Sequence, residues 1–196
     1  ETVDEALSLG IRHIGENKVQ EALRKIPMLS QPYDGFHFIG HLQSNKINNL
    51  LSLKPVLIQS VDSLHIAQKL NRSLGNKNLT QDILVQVNTT AETSKSGVSL
   101  ANAEEMLWQI AALPCLRVRG LMTIGLMSID AERTRPYFRQ LRELRDKIGR
   151  QNIPGVELDY LSMGMSDDFE VALEEGSNML RLGSVLFGQR NYGGGQ

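Results

Sequence analysis

Apolar positions recur along this chain in two rhythms. One is the three-and-four spacing of an amphipathic helix, carried by Val19, Ala22, Leu23 and Ile26 and again by Phe138, Leu141, Leu144 and Ile148. The other is the short run of Ile, Val, Leu and Phe that marks a strand buried on both faces, such as FHFIG at 36–40, PVLIQSV at 55–61 and DILVQVN at 82–88. These runs predict seven strands, at Ile11, Phe36, Val56, Ile83, Val118, Leu158 and Met179. Helices are predicted over 2–9, 19–29, 47–53, 64–74, 100–113 and 131–149, and again after Asp167 and Asp168 with Gly176 as a C-terminal cap. In the first of them Val3, Ala6, Leu7 and Leu9 face inward. Residues 89–97 read as polar loop, and the glycine-rich 191–196 as a loose tail.

Strict alternation of strand and helix predicts an α/β fold with a parallel sheet covered on both faces. A closed (β/α)8 barrel of the TIM type needs eight strands, each followed by its helix. Here a helix comes first, with no strand before it. The expectation is a TIM-type barrel lacking its first strand, as one domain over 1–190. An open seven-stranded sheet is the alternative, and it would leave two edges exposed.

Composition narrows the function. The 196 residues are 41% hydrophobic and 22% charged, with a formal net charge of -1, so nothing favours nucleic acid or an anionic membrane as partner. No apolar run reaches membrane-spanning length, and no signal-peptide pattern is present. Cys115 is the single cysteine, which excludes an internal disulfide framework or a cysteine zinc site and fits a reducing, cytoplasmic setting. The four histidines, His13, His37, His41 and His65, lack metal-ligand spacing, so no metal is expected.

The chemistry concentrates in 158–188. Ser162, Met163, Gly164, Met165 and Ser166 read as a small-residue turn after one strand, and Gly183 with Ser184 as a turn after the next. Small residues let backbone N–H groups approach an anion, and the loops after strands seven and eight are where barrels commonly hold phosphate. Arg181 interrupts an apolar strand, and a guanidinium is rarely buried without a partner. Together the two turns and Arg181 point to a phosphate-bearing ligand with a polar atom facing the arginine. Elsewhere, Asn17 suits either a helix N-cap or a pocket wall. His37 reads as a core histidine and His41 as a rim residue bonding its loop. Lys95 reads as an ordinary solvated lysine. Met122, Met163 and Met165 would fill core or pack under a flat ring. No nucleophile elbow, Walker loop or dinucleotide fingerprint is present.

GENKVQEA at 15–22, HFIGHLQSNK at 37–46, VNTTAETSKSGV at 87–98, GLMTIG at 120–125 and the whole of 161–188 resemble the pyridoxal phosphate homeostasis protein family, itself similar to the barrel domain of alanine racemase. The resemblance covers essentially the whole chain, in order. It implies a barrel that binds pyridoxal 5'-phosphate (PLP) through a lysine aldimine and serves vitamin B6 and amino-acid homeostasis as a carrier or regulator. It assigns the phosphate to the turn holding Ser162, Met165 and Ser166 and to Gly183 and Ser184, sets Arg181 against the pyridine nitrogen, and places Asn17 and Met122 beside the cofactor. The family's lysine lies on the first strand, ahead of the helix at Thr2, so it is expected just before residue 1 and is absent from this sequence; Lys18 is no match for it. A PLP-dependent racemase is the alternative. Racemases of this fold add a C-terminal domain with a tyrosine base, whereas only a short tail holding Tyr192 follows Gly188. Further expectations are a monomer, with PLP-dependent apoenzymes or a regulatory protein as partners.

Overall fold

A computed structural model describes residues 2–188 apart from 93, 127 and 129. The 191–196 tail with Tyr192 lies outside the described residues. Eight strands are formed: β1 (His13–Glu16), β2 (Gly35–Phe38), β3 (Leu57–Val61), β4 (Gln81–Asn88), β5 (Val98–Ser99), β6 (Leu116–Met122), β7 (Val156–Met165) and β8 (Met179–Arg181). Eight helices accompany them: α1 (Thr2–Ser8), α2 (Val19–Lys25), α3 (Ile47–Ser52), α4 (Leu64–Gly75), α5 (Ala103–Ala111), α6 (Arg135–Gly149), α7 (Phe169–Glu174) and α8 (Ser184–Phe187).

The main sheet runs β1-β2-β3-β4-β6-β7-β8, every neighbour parallel, and two-residue β5 adds to β4 outside this path. With helices packed around it, this is the α/β barrel expected from the alternating pattern. Its path is open: among the described residues β1 and β8 each pair on one side only.

Alternate residues serve two different cores. Phe36, Phe38, Ile58, Ile83, Val85, Val87, Leu121, Leu161 and Met163 point outward, into one large cluster with Leu70, Leu107, Phe138, Leu141 and Ala172 of the helices. Leu57, Leu84 and Met122 point the other way, and with Ile124, Tyr160 and Met179 they fill the barrel interior. That second layer carries the site.

Several elements depart from the sequence reading. Residues 162–165 are strand, not turn: Met165 pairs with Arg181 in register, and Gly164 accommodates this with φ +94. A side chain at Gly164 would meet the Ala172 Cβ at 2.5 Å, so glycine lets β7 lie against α7. The expected turn at Gly183 and Ser184 leads directly into a single helical turn, α8. Leu9 is exposed rather than inward-facing, because α1 has already ended at Ser8. Gly176, with φ +91, does close α7.

Candidate functional site

The ends of β7 and β8 meet as the two-turn reading requires. The Ser166 hydroxyl oxygen accepts the Gly183 N–H at 3.1 Å and the Val185 N–H at 3.2 Å, so one side chain ties the segment after β7 to the segment after β8. Asp168 shapes the first segment: its carboxylate accepts the Met165 N–H at 2.7 Å. Met165 therefore spends its amide within the chain. The backbone N–H groups of Ser166 and Ser184 make no hydrogen bond to another described residue. They are donors left for an anion.

Arg181 extends from the last position of β8 into this corner. Its Nη1 donates to the Ser162 Oγ at 2.7 Å and its Nη2 to the Thr123 carbonyl at 2.8 Å. The other three of its five N–H donors have no partner among the described residues. Burial pulls the guanidinium pKa down to about 10, with Asp168 pulling the other way, so it keeps its charge at neutral pH. Burial raises the Asp168 pKa, while the Met165 amide and Arg181 oppose that rise. A fixed cation, two unpaired amides and a bridging hydroxyl thus share one corner at the C-terminal ends of the strands.

Ser162 is fully buried in the interior layer, paired in register with both Met122 and Met179. Its hydroxyl donates to the Gln59 Oε1 at 2.7 Å across the barrel. Met122 lies fully buried in the same layer beneath the site. Asn17 is not the N-cap of α2, a position taken by Lys18. It lines a cleft of about 350 Å³ with Lys18, His41, Gln43 and Lys46, where the segments after β1 and β2 meet. Those segments are locked together: a side chain at Gly40 would lie 1.9 Å from the Asn17 carbonyl.

Of two further single-residue readings, one changes and one holds. Lys95 is half-buried rather than solvated, donating to Glu92 at 2.8 Å and to the Gly125 carbonyl at 3.1 Å. His41 bonds Asp62 at 2.9 Å and Ser96 at 3.3 Å, as a rim residue should. Gln59 was not visible as a site residue in the sequence. Its only signal was an amide inside an apolar strand. Among the described residues no cluster of His, Cys, Asp and Glu could hold a metal, and no helix is long and apolar enough to cross a membrane.

Comparison with known proteins gives the same direction throughout. The alanine racemase N-terminal domain model matches residues 1–191. The pyridoxal phosphate homeostasis protein of Aquifex aeolicus is 44% identical over 192 residues, spanning 98% of this chain and 83% of its own. That of Escherichia coli K12 is 38% identical over 193 residues, spanning 97% and 81%. Among solved structures, PipY of Synechococcus elongatus with PLP bound superposes with a TM-score of 0.84 at 34% identity, covering 95% of this chain and 86% of PipY. Alanine racemase of Clostridium difficile 630 shares the fold, with a TM-score of 0.79 at 14% identity and 48% of its length covered.

Proposed function

The chain belongs to the pyridoxal phosphate homeostasis proteins, within the alanine racemase N-terminal domain family, and we propose that it binds PLP at the Arg181 corner and acts as a carrier or regulator rather than a catalyst. The observation that carries this reading is the arginine itself. It is anchored at two points by Ser162 and Thr123 and holds three more N–H groups without a partner among the described residues, beside the amides that Ser166 draws together. A flat heteroaromatic ring with an acceptor nitrogen and a phosphate arm fits that donor set.

In this reading the phosphate is held by the backbone N–H groups of Ser166 and Ser184, with Gly183 and the Ser166 hydroxyl between them. Met165 shapes the first segment, and Asn17 borders the site from the far rim. Met122 supports its floor. PLP, when bound, supplies an aldehyde that condenses with primary amines. Arg181 presents an N–H that it does not release at neutral pH, so the ring nitrogen opposite it remains an acceptor. A ring left unprotonated is a weaker electron sink than one facing a carboxylic acid, which favours holding over turnover. The protein would work in the cytoplasm as a monomeric barrel domain and pass PLP to apoenzymes or a regulatory protein.

The test is a titration of the purified protein with PLP, followed by mixing with a PLP-dependent apoenzyme. Saturation at one PLP per chain, recovery of the apoenzyme's activity and no interconversion of L- and D-alanine are expected. Sustained racemisation would replace the carrier reading with the catalytic one.

A further inference from the structure

A buried polar chain crosses the barrel beneath the site, and the direction of every bond in it follows from chemistry. Arg181 can only donate, so the Ser162 oxygen accepts from it at 2.7 Å. The Ser162 proton then goes to the Gln59 Oε1, at 2.7 Å. With its oxygen engaged, Gln59 turns its amide nitrogen to the His37 Nδ1 at 3.0 Å and to the Met179 sulfur at 3.1 Å. His37 must accept at Nδ1, so as a neutral ring it carries its proton on Nε2 and donates to the His13 Nδ1 at 3.0 Å. Ser162 is fully buried, and Gln59 and His37 nearly so. Polar side chains in an interior otherwise lined by Leu57, Leu84 and Met122 cost stability unless fully paired, and these are.

We propose that Gln59 and His37 are positioning residues for Arg181: they pin the Ser162 hydroxyl so that its lone pair, not its proton, faces the guanidinium. Without the Gln59 oxygen the hydroxyl rotates freely. In some of its rotamers it turns its hydrogen toward a group that can only donate, and Arg181 loses one of its two anchors. His37 fixes Gln59 in turn. Its bare Nδ1 holds the amide nitrogen, so the amide cannot flip and offer nitrogen where Ser162 needs oxygen. Burial and the neighbouring His13 lower the His37 pKa to about 4, which keeps that nitrogen bare across neutral pH. Gln59 and His37 make no direct hydrogen bond to Arg181 and act on it through Ser162. Their effect reaches the ligand through the aim of one arginine. The proposal rests on PLP lying against Arg181.

The test is Gln59→Met, which keeps the side-chain length and removes both polar ends. PLP affinity and the absorption maximum of bound PLP are measured with it, together with Ser162→Ala, Arg181→Leu and the Gln59→Met/Arg181→Leu pair. Gln59→Met and Ser162→Ala should each weaken PLP binding by about tenfold, the loss of one charge-assisted hydrogen bond. Both should shift the absorption maximum in the same direction as Arg181→Leu, and Gln59→Met should add nothing in the Arg181→Leu background. Wild-type affinity and spectrum in Gln59→Met, with Arg181→Leu impaired, would overturn the positioning role alone. Unchanged binding in Arg181→Leu would instead remove the PLP site on which it rests. If Gln59→Met does not fold, His37→Leu, which frees the Gln59 amide to flip, carries the same decision: weaker binding with the Arg181→Leu shift is expected, and wild-type affinity and spectrum would overturn the positioning role.

Discussion

The hydroxyl oxygen of Ser166 stands 3.1 Å from the backbone nitrogen of Gly183, and this one contact makes a single site of two strand ends. The two residues are seventeen positions apart in sequence. Between them lies α7, turned by Asp168 at one end and Gly176 at the other, which returns the chain beside β7.

Replacing Ser166 by aspartate puts a carboxylate where phosphate oxygens belong. Like charges in a partly buried site repel strongly. PLP affinity should fall at least about a hundredfold, roughly 3 kcal/mol, measured by equilibrium dialysis. Ser166→Ala removes the bridge but not the amides and should cost about tenfold or less. Stoichiometric PLP in Ser166→Asp would contradict the phosphate assignment.

Arg181→Glu exchanges the fixed donor for an acceptor facing a ring nitrogen, and it leaves Ser162 without its anchor. Weaker PLP binding and a displaced absorption band are expected in a spectrophotometric titration. A wild-type band at wild-type affinity would contradict the role given to Arg181.

Gly164→Ala should destabilise the fold by about 2–4 kcal/mol, from left-handed backbone strain and overpacking against Ala172. Urea unfolding monitored by circular dichroism measures this. Because Gly164 stands next to Met165, the last residue of β7, and two positions before Ser166, PLP affinity should fall with it.

Stability should also depend on pH through His37. Its pKa in the fold is about 4, against an ordinary 6.5. The unfolded chain therefore takes up a proton below 6.5 that the folded chain refuses, so stability is full above that pH and falls as the pH drops toward 4. The loss attributable to this group is about 3 kcal/mol at most. Urea midpoints from pH 8 to 4 should show this decline, and His37→Gln should flatten it. An equal decline in His37→Gln would assign the effect to other groups.

Much of this was legible in the sequence because it depends on local signals. Strand runs such as ILV at 83–85 and the helical stripe of Phe138, Leu141 and Leu144 report burial directly. Arg181 stood out because charge inside an apolar strand is costly. The stretch from Ser162 to Met165 misled because serine and glycine resemble a turn, whereas pairing of Met165 with Arg181 keeps it extended. Lys95 reads as solvated for a related reason: its carbonyl partner at Gly125 lies thirty residues away. The Ser162–Gln59 bond spans 103 positions, and no periodicity within either strand could reveal it.

The most direct measurement is the nitrogen-15 resonance of ring-labelled PLP bound to the protein, followed across neutral pH. With Arg181 opposite the nitrogen, the resonance should be that of an unprotonated, hydrogen-bonded pyridine, insensitive to pH, and it should move in Arg181→Glu. A pyridinium resonance in the wild-type protein, or one that Arg181→Glu leaves in place, would contradict the arrangement.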